Sequence, residues 1–267
     1  RLMPPEIAEY DRSIWLDAQK KGIFMHKVLE DYVATIIIAN KEKEFKATAF
    51  ADRFEKNCQA MLEMVPYLSR STYEMQRHRC QEDARGCLIQ LCDEMKTQHF
   101  VPIATELAFG MNQTDPIEIG LNDGSTVSLR GSIDRVDVLK DGTYRIVDYK
   151  TGKFTNMKKK REQGVDVLIQ DYLYAIVLEK IFDDQSSMVT ESRYDFPCDR
   201  NAHLVTAINR TSKMAVMDTL NAIAGDIRSG NYGRCCGDPA KYPNWETTCS
   251  YCDYGTLCQA EACAWEV

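Results

Sequence analysis

Two stretches of sequence decide the fold: Gly-Ser-Ile-Asp-Arg-Val-Asp at residues 131–137 and Ile-Val-Asp-Tyr-Lys-Thr-Gly at residues 146–152. In both, apolar residues are interleaved with polar ones, which is typical of a half-buried β-strand. The dipeptide Asp-Gly at residues 141–142 lies between them and is a strong turn signal. The two stretches are therefore predicted to form a β-hairpin.

The side chains of this hairpin gather charged groups. Asp148 and Lys150 are two residues apart on one strand, so they share a face, while Tyr149 points away. Pairing of the strands can bring Asp134 beside them. Two carboxylates and an ammonium at one point suit Mg²⁺ or Mn²⁺, and the lysine can orient an attacking water or stabilise developing charge. The alternative is a surface hairpin with ordinary charge pairs, which describes most Asp-x-Lys sequences.

The remainder of the second half alternates between strand and helix patterns. An Asn-Asp-Gly signal at residues 122–124 indicates another hairpin, so an antiparallel meander is expected. Thr211 or Ser212 is placed to cap the last helix. The predicted strands are residues 103–109, 116–119, 126–138, 144–149, 191–196 and 203–208, and the predicted helices are residues 165–182 and 214–228.

The first hundred residues have helical periodicity. One helix is predicted over residues 11–32, where Gly22 marks a break or a close approach. A second helical region, over residues 45–97, contains Pro66 as a breaker. The whole chain, residues 1–267, is thus predicted to be one α/β domain, with a helical insertion without chemistry of its own (residues 41–100), a core (residues 101–228) and a cysteine-rich tail (residues 230–267).

The composition is that of a soluble globular protein, with 44% apolar and 27% charged residues in a chain of 267. No stretch approaches the roughly 18 uninterrupted apolar residues of a membrane span. The first residues, Arg-Leu-Met-Pro-Pro, are neither a signal peptide nor a natural start. A cytoplasmic protein, and a fragment of a longer chain, are therefore expected.

Six of the eleven cysteines lie in the last 33 residues. Disulfides would be favoured in a secreted protein, but nothing in the sequence indicates secretion, so metal binding is the better interpretation. Cys249, Cys252 and Cys258 form a C-x2-C-x5-C array, which is compatible with zinc or with an iron–sulfur cluster.

The hairpin motif, Gly-Ser-Ile-Asp-Arg-Val-Asp followed by Val-Asp-Tyr-Lys-Thr-Gly, closely resembles the nuclease signature of the RecB family within the PD-(D/E)XK superfamily. The resemblance implies a restriction-endonuclease-like α/β core, in which helices flank a mixed sheet. It also implies a divalent-metal-dependent nuclease in which Asp134, Asp148 and Lys150 are catalytic.

The resemblance extends upstream of the hairpin. Gly22-x-x-x-His26 resembles the family's first helix, which implies that His26 binds the metal together with Asp134, Asp148 and the backbone carbonyl of Tyr149. Glu106 resembles the catalytic glutamate of the first core strand. The alternatives are a surface or core histidine and an exposed strand carboxylate.

Downstream, Gln170-x-x-x-Tyr174 resembles a helix motif of the same family. Residues four apart share one face of a helix, so both side chains can point at the active site or the DNA backbone. Taken alone they would be interpreted as core packing.

Charge gives a weaker indication about DNA. The net charge of −7 argues against nucleic-acid binding, because Lys and Arg neutralise phosphates. The objection is limited, since a nuclease gathers carboxylates and a module of a larger assembly can leave DNA contacts to its neighbours. A basic run follows the hairpin and is interpreted as DNA-binding, with a solvated loop as the alternative: Lys153, Lys158, Lys159, Lys160 and Arg161.

For the tail, the resemblance to AddB-like and CRISPR adaptation nucleases favours a [4Fe-4S] cluster over zinc. In those proteins the cysteine trio is joined by a cysteine that precedes the Gly-x-x-x-His helix. This chain has no cysteine before Cys58, which fits the expected truncation. Cys58, Cys80, Cys87 or the pair at residues 235–236 could substitute.

The AddB/RexB-type subunit is the nearest resemblance. It implies a bacterial exonuclease that degrades DNA ends, in single-stranded form, within a helicase–nuclease that acts in recombination repair. Two alternatives stay open: a DNA-binding or scaffolding module of the same fold without catalysis, and a small zinc-tail protein whose hairpin match is accidental.

Overall fold

A computed structural model of the chain describes residues 13–162, 169–182 and 188–230. Its helices are α1 (Ala18–Tyr32), α2 (Ala47–Met64), α3 (Arg70–Gln98), α4 (Phe154–Glu162), α5 (Ile169–Phe182) and α6 (Arg210–Ser229). Its strands are β1 (Val101–Phe109), β2 (Ile117–Gly120), β3 (Thr126–Leu129), β4 (Gly131–Val138), β5 (Tyr144–Tyr149), β6 (Val189–Phe196) and β7 (Ala202–Ala207).

Five of these strands form one mixed sheet in the order β1-β4-β5-β6-β7. The β5–β6 pair is parallel and the other pairs are antiparallel. A parallel pair needs a crossover connection, and the chain between β5 and β6 includes α4 and α5. The predicted α/β class, with helices flanking a mixed sheet, is confirmed.

The predicted hairpin is present as β4 and β5, with Arg135 opposite Val147 and Val136 opposite Ile146. The turn depends on Gly142, whose φ of +84° is readily adopted only by glycine. The Asp141 side chain accepts a 3.0 Å hydrogen bond from the Thr143 N–H and completes the turn.

The predicted strand over residues 126–138 is wrong, because the chain changes sheets at Arg130. β3 pairs with β2 in a separate two-stranded sheet, whereas β4 pairs with β1. The expected meander is therefore interrupted by the β2–β3 hairpin. At Gly131 a Cβ atom would lie 2.9 Å from Phe109 Cζ, so a glycine is needed where β4 begins.

The first helix starts later than predicted. Asp17 caps α1 by accepting a 2.8 Å hydrogen bond from the Lys20 N–H, so the helix begins at Ala18 and not at residue 11. Gly22 does not break it, and a Cβ there would be in ordinary contact, 3.6 Å from Thr151 Oγ1. The helix continues without interruption into a π-helical segment, Val33–Ile38.

Two apolar clusters cover the sheet. One contains residues of α1, α2 and α3, including Phe24, Phe54 and Leu88, together with Tyr149 of β5. The other packs Ala175 and Leu178 of α5 against the strands. The helices of the predicted insertion thus share a core with the strand that carries the motif, and the division into insertion, core and tail stays a prediction.

The chain divides into two compact units, Arg1–Met217 and Asp218–Val267. Within the first unit, α6 begins after Asn209, whose Oδ1 accepts a 3.0 Å hydrogen bond from the Ser212 N–H. The predicted caps, Thr211 and Ser212, are wrong because both lie inside the helix. None of the helices in the described ranges is long and apolar enough to cross a membrane.

Candidate active site

Four elements bring the predicted site residues to one region at the end of the β4–β5 hairpin. α1 supplies His26, β1 supplies Glu106 and β4 supplies Asp134. The remaining residues come from the end of β5 and from α5: Asp148, Lys150, Gln170 and Tyr174. A site assembled from elements so distant in sequence depends on the sheet order, because β4 lies between β1 and β5.

His26 lies against the backbone of Tyr149. Its Nε2 is 2.7 Å from the Tyr149 carbonyl oxygen, which can only accept, so Nε2 carries the proton in this contact. Nδ1 faces two carboxylates, at 3.4 Å from Asp134 Oδ2 and 4.0 Å from Glu106 Oε1. Both ring nitrogens of His26 are therefore directed at predicted site atoms.

Asp134 is held by the backbone of the neighbouring strand, since its Oδ2 accepts a 2.7 Å hydrogen bond from the Tyr149 N–H. Burial, followed by the charge of Asp148, raises the pKa of Asp134 to about 7, although His26 and the Tyr149 N–H act in the opposite direction. A divalent cation would reverse this effect, because it favours the charged form of its ligands.

Asp148 and Lys150 share a face, as the strand period predicts. Lys150 Nζ lies 2.6 Å from Asp148 Oδ2. On the other side, the Gln170 amide donates a 3.1 Å hydrogen bond to Asp148 Oδ1. Oδ2 is buried and has no partner with hydrogen-bond geometry in the described part of the chain, so it retains lone pairs for a further ligand.

Gln170 and Tyr174 meet on one face of α5, as their spacing predicts. Their side chains are hydrogen-bonded, and the Tyr174 ring lies edge-on to Phe109 with centroids 6.0 Å apart. Gln170 therefore links Asp148 to Tyr174.

Glu106 has an unusual backbone for a strand residue, with a φ of +44°. A left-handed conformation costs a non-glycine residue about 1–3 kcal/mol and occurs most often at functional sites. Its Oε2 accepts a 2.8 Å hydrogen bond from Ser132, which leaves Oε1 directed toward His26.

The donor set fits a small divalent cation. One ligand atom from each of His26, Glu106 and Asp134 lies within 4.8 Å of the others. Octahedral ligands at about 2.1 Å from Mg²⁺ are about 3 Å apart in cis and about 4 Å apart in trans, so little adjustment is needed. Asp148 is not in this trio because Lys150 and Gln170 hold its carboxylate, whereas Glu106 is.

A groove of about 690 Å³ opens beside these residues. His26 and Glu106 form one side, and its walls continue along α1 and α2 with Ile23, Lys27 and Met64. This volume is in the range of ligand sites in proteins, and it gives access to the predicted metal ligands from solvent.

The basic run is a helix and not a loop. Lys153 precedes α4, and Lys158 and Lys159 are exposed on it. Arg161 is partly buried and donates a 2.9 Å hydrogen bond to the Val205 carbonyl of β7, so its charge is partly used within the fold. Lys160 also belongs to α4, but its side chain lies outside the described atoms. A DNA contact by this run stays a prediction.

The cysteine trio, Cys249, Cys252 and Cys258, lies outside the described residues. Among the possible substitutes for a fourth ligand, Cys58 and Cys80 are buried, and burial raises the pKa values of their thiols to about 11 and about 12. Burial also raises the pKa of Cys87. Metals bind the thiolate, so these positions are poorly suited to ligation.

The sequence did not single out Asp171 and Tyr194. The Tyr194 ring lies 5.0 Å from Lys150 Nζ, and Tyr194 and Ser192 hydrogen-bond the Asp171 carboxylate. A charged residue beside Gln170 in an otherwise apolar helix was the available signal. Nothing local indicates Tyr194, because β6 reaches the site only through its parallel pairing with β5.

Asp171 gives a prediction for stability. Burial raises its pKa from 3.8 to about 6, against the hydrogen bonds from Tyr194 and Ser192 and with a further rise from Asp148. Because the pKa is higher in the folded state, the stability that it contributes is present below pH 3.8 and is lost as the pH rises through about 6.

Relative to Asp171→Asn, the wild-type chain should therefore lose up to about 3 kcal/mol of unfolding free energy between those pH values. Urea titrations at several pH values with chelator present would measure it. Parallel pH profiles for the two proteins would contradict the expectation.

The family model of the PD-(D/E)XK nuclease superfamily matches residues 6–259 of this chain. The chain belongs to the PD-(D/E)XK nuclease superfamily. The match includes α1, the whole five-stranded sheet and α5, and therefore every predicted site residue of the hairpin region.

Curated relatives narrow the resemblance to one group, in agreement with the AddB-like prediction. The ATP-dependent helicase/deoxyribonuclease subunit AddB of Caldanaerobacter subterraneus subsp. tengcongensis is 34% identical over 189 residues, which cover 67% of this chain and 16% of that protein. The protein of the same name from Thermoanaerobacter sp. (strain X514) is 32% identical, covering 62% and 15%. That from Clostridium acetobutylicum is 31% identical, covering 67% and 16%.

The aligned part is thus about one-sixth of the length of these relatives. Among solved structures, "Crystal structure of SSO0001" covers 88% of this PD-(D/E)XK chain and 94% of that chain, at 15% identity and a TM-score of 0.30. A likeness at that level carries no argument about the fold.

Proposed function

We propose that this chain is the nuclease module of a DNA-processing helicase–nuclease, and that it hydrolyses phosphodiester bonds at DNA ends with Mg²⁺ or Mn²⁺. The meeting of His26, Glu106 and Asp134 beside the Asp148–Lys150 pair is the observation that carries this proposal. Membership of a nuclease superfamily supports it independently.

The residues divide into a metal-holding set and a set that acts on the substrate. His26, Asp134, Asp148 and the Tyr149 carbonyl would hold the ion, with Glu106 as a further ligand that lies within reach of His26 and Asp134. The buried Asp148 Oδ2 without a hydrogen-bond donor is consistent with this role. A divalent ion supplies Lewis-acid stabilisation of charge on a phosphate.

Lys150 acts on the reacting groups. Its ammonium is held between the Asp148 carboxylate at 2.6 Å and the Tyr194 ring at 5.0 Å, yet about a quarter of the side chain is exposed. In this position it can donate a hydrogen bond to an attacking water or to a phosphate oxygen on which charge develops. Gln170 and Tyr174 keep the opposite side of Asp148 ordered.

The substrate and partner follow from the relatives. They are named as helicase/deoxyribonuclease subunits, and the matched segment is about one-sixth of each. We assign DNA as the substrate, single-stranded ends as its entry form and a helicase as the partner. The exposed Lys153, Lys158 and Lys159 provide positive charge for the DNA backbone, as phosphate contacts require.

Digestion of end-labelled linear single-stranded DNA, beside circular single-stranded DNA, tests this function. With Mg²⁺ or Mn²⁺ present, we expect short products from the linear form and an intact circle. Cleavage of the circle would replace the exonuclease assignment with an endonuclease. Absence of any cleavage by a protein that binds both DNA and metal would favour the module without catalysis.

The cysteine tail gives a separate prediction. If Cys249, Cys252 and Cys258 bind a [4Fe-4S] cluster, protein purified anaerobically should contain iron and sulfide and absorb in the visible range, and Cys252→Ser should lose both. Cys198→Ser is the matched control because Cys198 is a free cysteine remote in sequence from the trio. Stoichiometric zinc without iron would identify a zinc site instead.

A further inference from the structure

A cluster of buried charges lies behind the strands that carry the site. Arg135 and Asp137 have no exposed surface, although both belong to the hairpin motif. Asp137 accepts hydrogen bonds from two arginines, with Arg135 Nε at 2.9 Å and Arg145 Nη2 at 2.8 Å. The remaining members are Arg193, Asp195, Glu94 and Glu191.

Such a cluster is weak evidence for stability. Removing charges from water costs several kcal/mol per ion, and apolar residues of similar size often replace buried ion pairs without loss. What an arginine adds is a fixed geometry, since its planar guanidinium holds several partners in defined directions. The contacts of Arg135 therefore matter more than its burial.

One contact of Arg135 leads to the candidate metal site. Its Nη1 donates a 2.5 Å hydrogen bond to the Tyr149 hydroxyl, and its guanidinium carbon lies 5.5 Å from the centre of the Tyr149 ring. The same guanidinium is fixed by both carboxylate oxygens of Asp137 and faces Asp195 at 3.5 Å. The phenol of Tyr149 is thus anchored at its far end.

The backbone of Tyr149 is part of the site itself. Its N–H donates to Asp134 Oδ2 at 2.7 Å, and its carbonyl oxygen lies 2.7 Å from His26 Nε2. Asp148 and Lys150 flank it in the chain. A small shift or rotation of this residue would therefore displace the atoms of both His26 and Asp134 relative to each other.

We propose that Arg135 is a positioning residue: by anchoring the Tyr149 hydroxyl, it fixes the Tyr149 backbone that sets the separation of His26 and Asp134. This inference rests on the proposed metal-dependent function. Groups that orient metal ligands without touching the metal commonly change metal affinity by about 10–100-fold when they are removed.

The competing explanation is that Tyr149 only packs in the core, and Tyr32 allows a matched comparison. Both tyrosines are buried in the same apolar cluster. Each hydroxyl accepts one hydrogen bond, at 2.7 Å from the Lys46 N–H for Tyr32 and 2.5 Å from Arg135 for Tyr149. Phenylalanine at either position removes one hydroxyl and one hydrogen bond.

The experiment measures Mn²⁺ binding by calorimetry and thermal unfolding without metal for the wild-type chain, Tyr149→Phe and Tyr32→Phe. We expect both variants to unfold at similarly reduced temperatures, whereas only Tyr149→Phe weakens Mn²⁺ binding, by about 10-fold. Equal Mn²⁺ affinity in the two variants would overturn the positioning role.

If Tyr149→Phe does not fold, Arg135→Lys decides the question, because lysine keeps the charge but lacks the fork that holds Asp137 and Tyr149 together. It should weaken Mn²⁺ binding in the same direction, and an unchanged affinity would again overturn the role. A wild-type chain that neither binds Mn²⁺ nor cleaves DNA would refute the proposed function, and this inference with it. A wild-type chain that does both isolates the test to Arg135 and Tyr149.

Discussion

Substituting Lys150 with methionine is expected to reduce DNA cleavage by about 10²–10³-fold while the protein stays folded. Methionine keeps most of the length of the side chain but removes the ammonium, which lies 2.6 Å from Asp148 and is exposed on its other side. A group that stabilises charge only as the phosphate reacts should affect the rate of cleavage more than the binding of DNA. Asp148→Ala is expected to abolish cleavage.

Single-turnover cleavage of end-labelled DNA, with DNA affinity measured in parallel, provides the test. Lys153→Met is the matched control, since it removes a positive charge three residues away from an exposed position. It should weaken DNA binding modestly and leave the single-turnover rate at saturating DNA unchanged. Equal losses of rate in the two variants would mean that Lys150 serves only general charge attraction, and near wild-type cleavage by Lys150→Met would remove it from the catalytic set.

The hairpin could be predicted from sequence because its signals are local. Side-chain alternation assigns Asp148 and Lys150 to one face, and Gly142 marks the turn. The same local reasoning failed at residues 126–138, where alternation continues through Arg130 although the chain leaves one sheet for another. A period of two residues reports a strand but not its partner.

The parts of the site that could not be predicted depend on contacts between distant segments. The left-handed backbone of Glu106 lies within an ordinary strand pattern. Tyr194 approaches Lys150 only because β6 pairs in parallel with β5. The role of Arg135 was hidden for a related reason, since an arginine in a motif suggests a surface and not a fully buried position of a sheet.

These distant contacts also explain why the helices cannot be treated as an addition to the core. α1 carries His26 on one side, and its apolar side packs with α2 and α3 in the cluster that includes Tyr149. The position of His26 relative to the sheet therefore depends on helices that carry none of the predicted ligands. Changes in that cluster should alter metal binding through the placement of α1.

The second large effect is expected for His26→Ala, which should raise the Mn²⁺ concentration needed for half-maximal cleavage by about 100-fold or more. The lower bound follows from groups that merely support metal ligands, whose loss costs up to about 100-fold. His26 has one ring nitrogen 2.7 Å from the Tyr149 carbonyl and the other 3.4 Å from Asp134, so alanine would remove the nitrogen donor from the set.

His78→Ala is the control, because His78 is an exposed histidine on α3. Metal titrations of cleavage, with direct Mn²⁺ binding by calorimetry, would be compared among the wild-type chain and the two variants. A role in the metal site requires both measurements to shift for His26→Ala alone. If that variant instead unfolds at a lower temperature with an unchanged titration, His26 is a structural histidine that joins α1 to the backbone of β5, and the metal would depend on Glu106, Asp134 and Asp148 only.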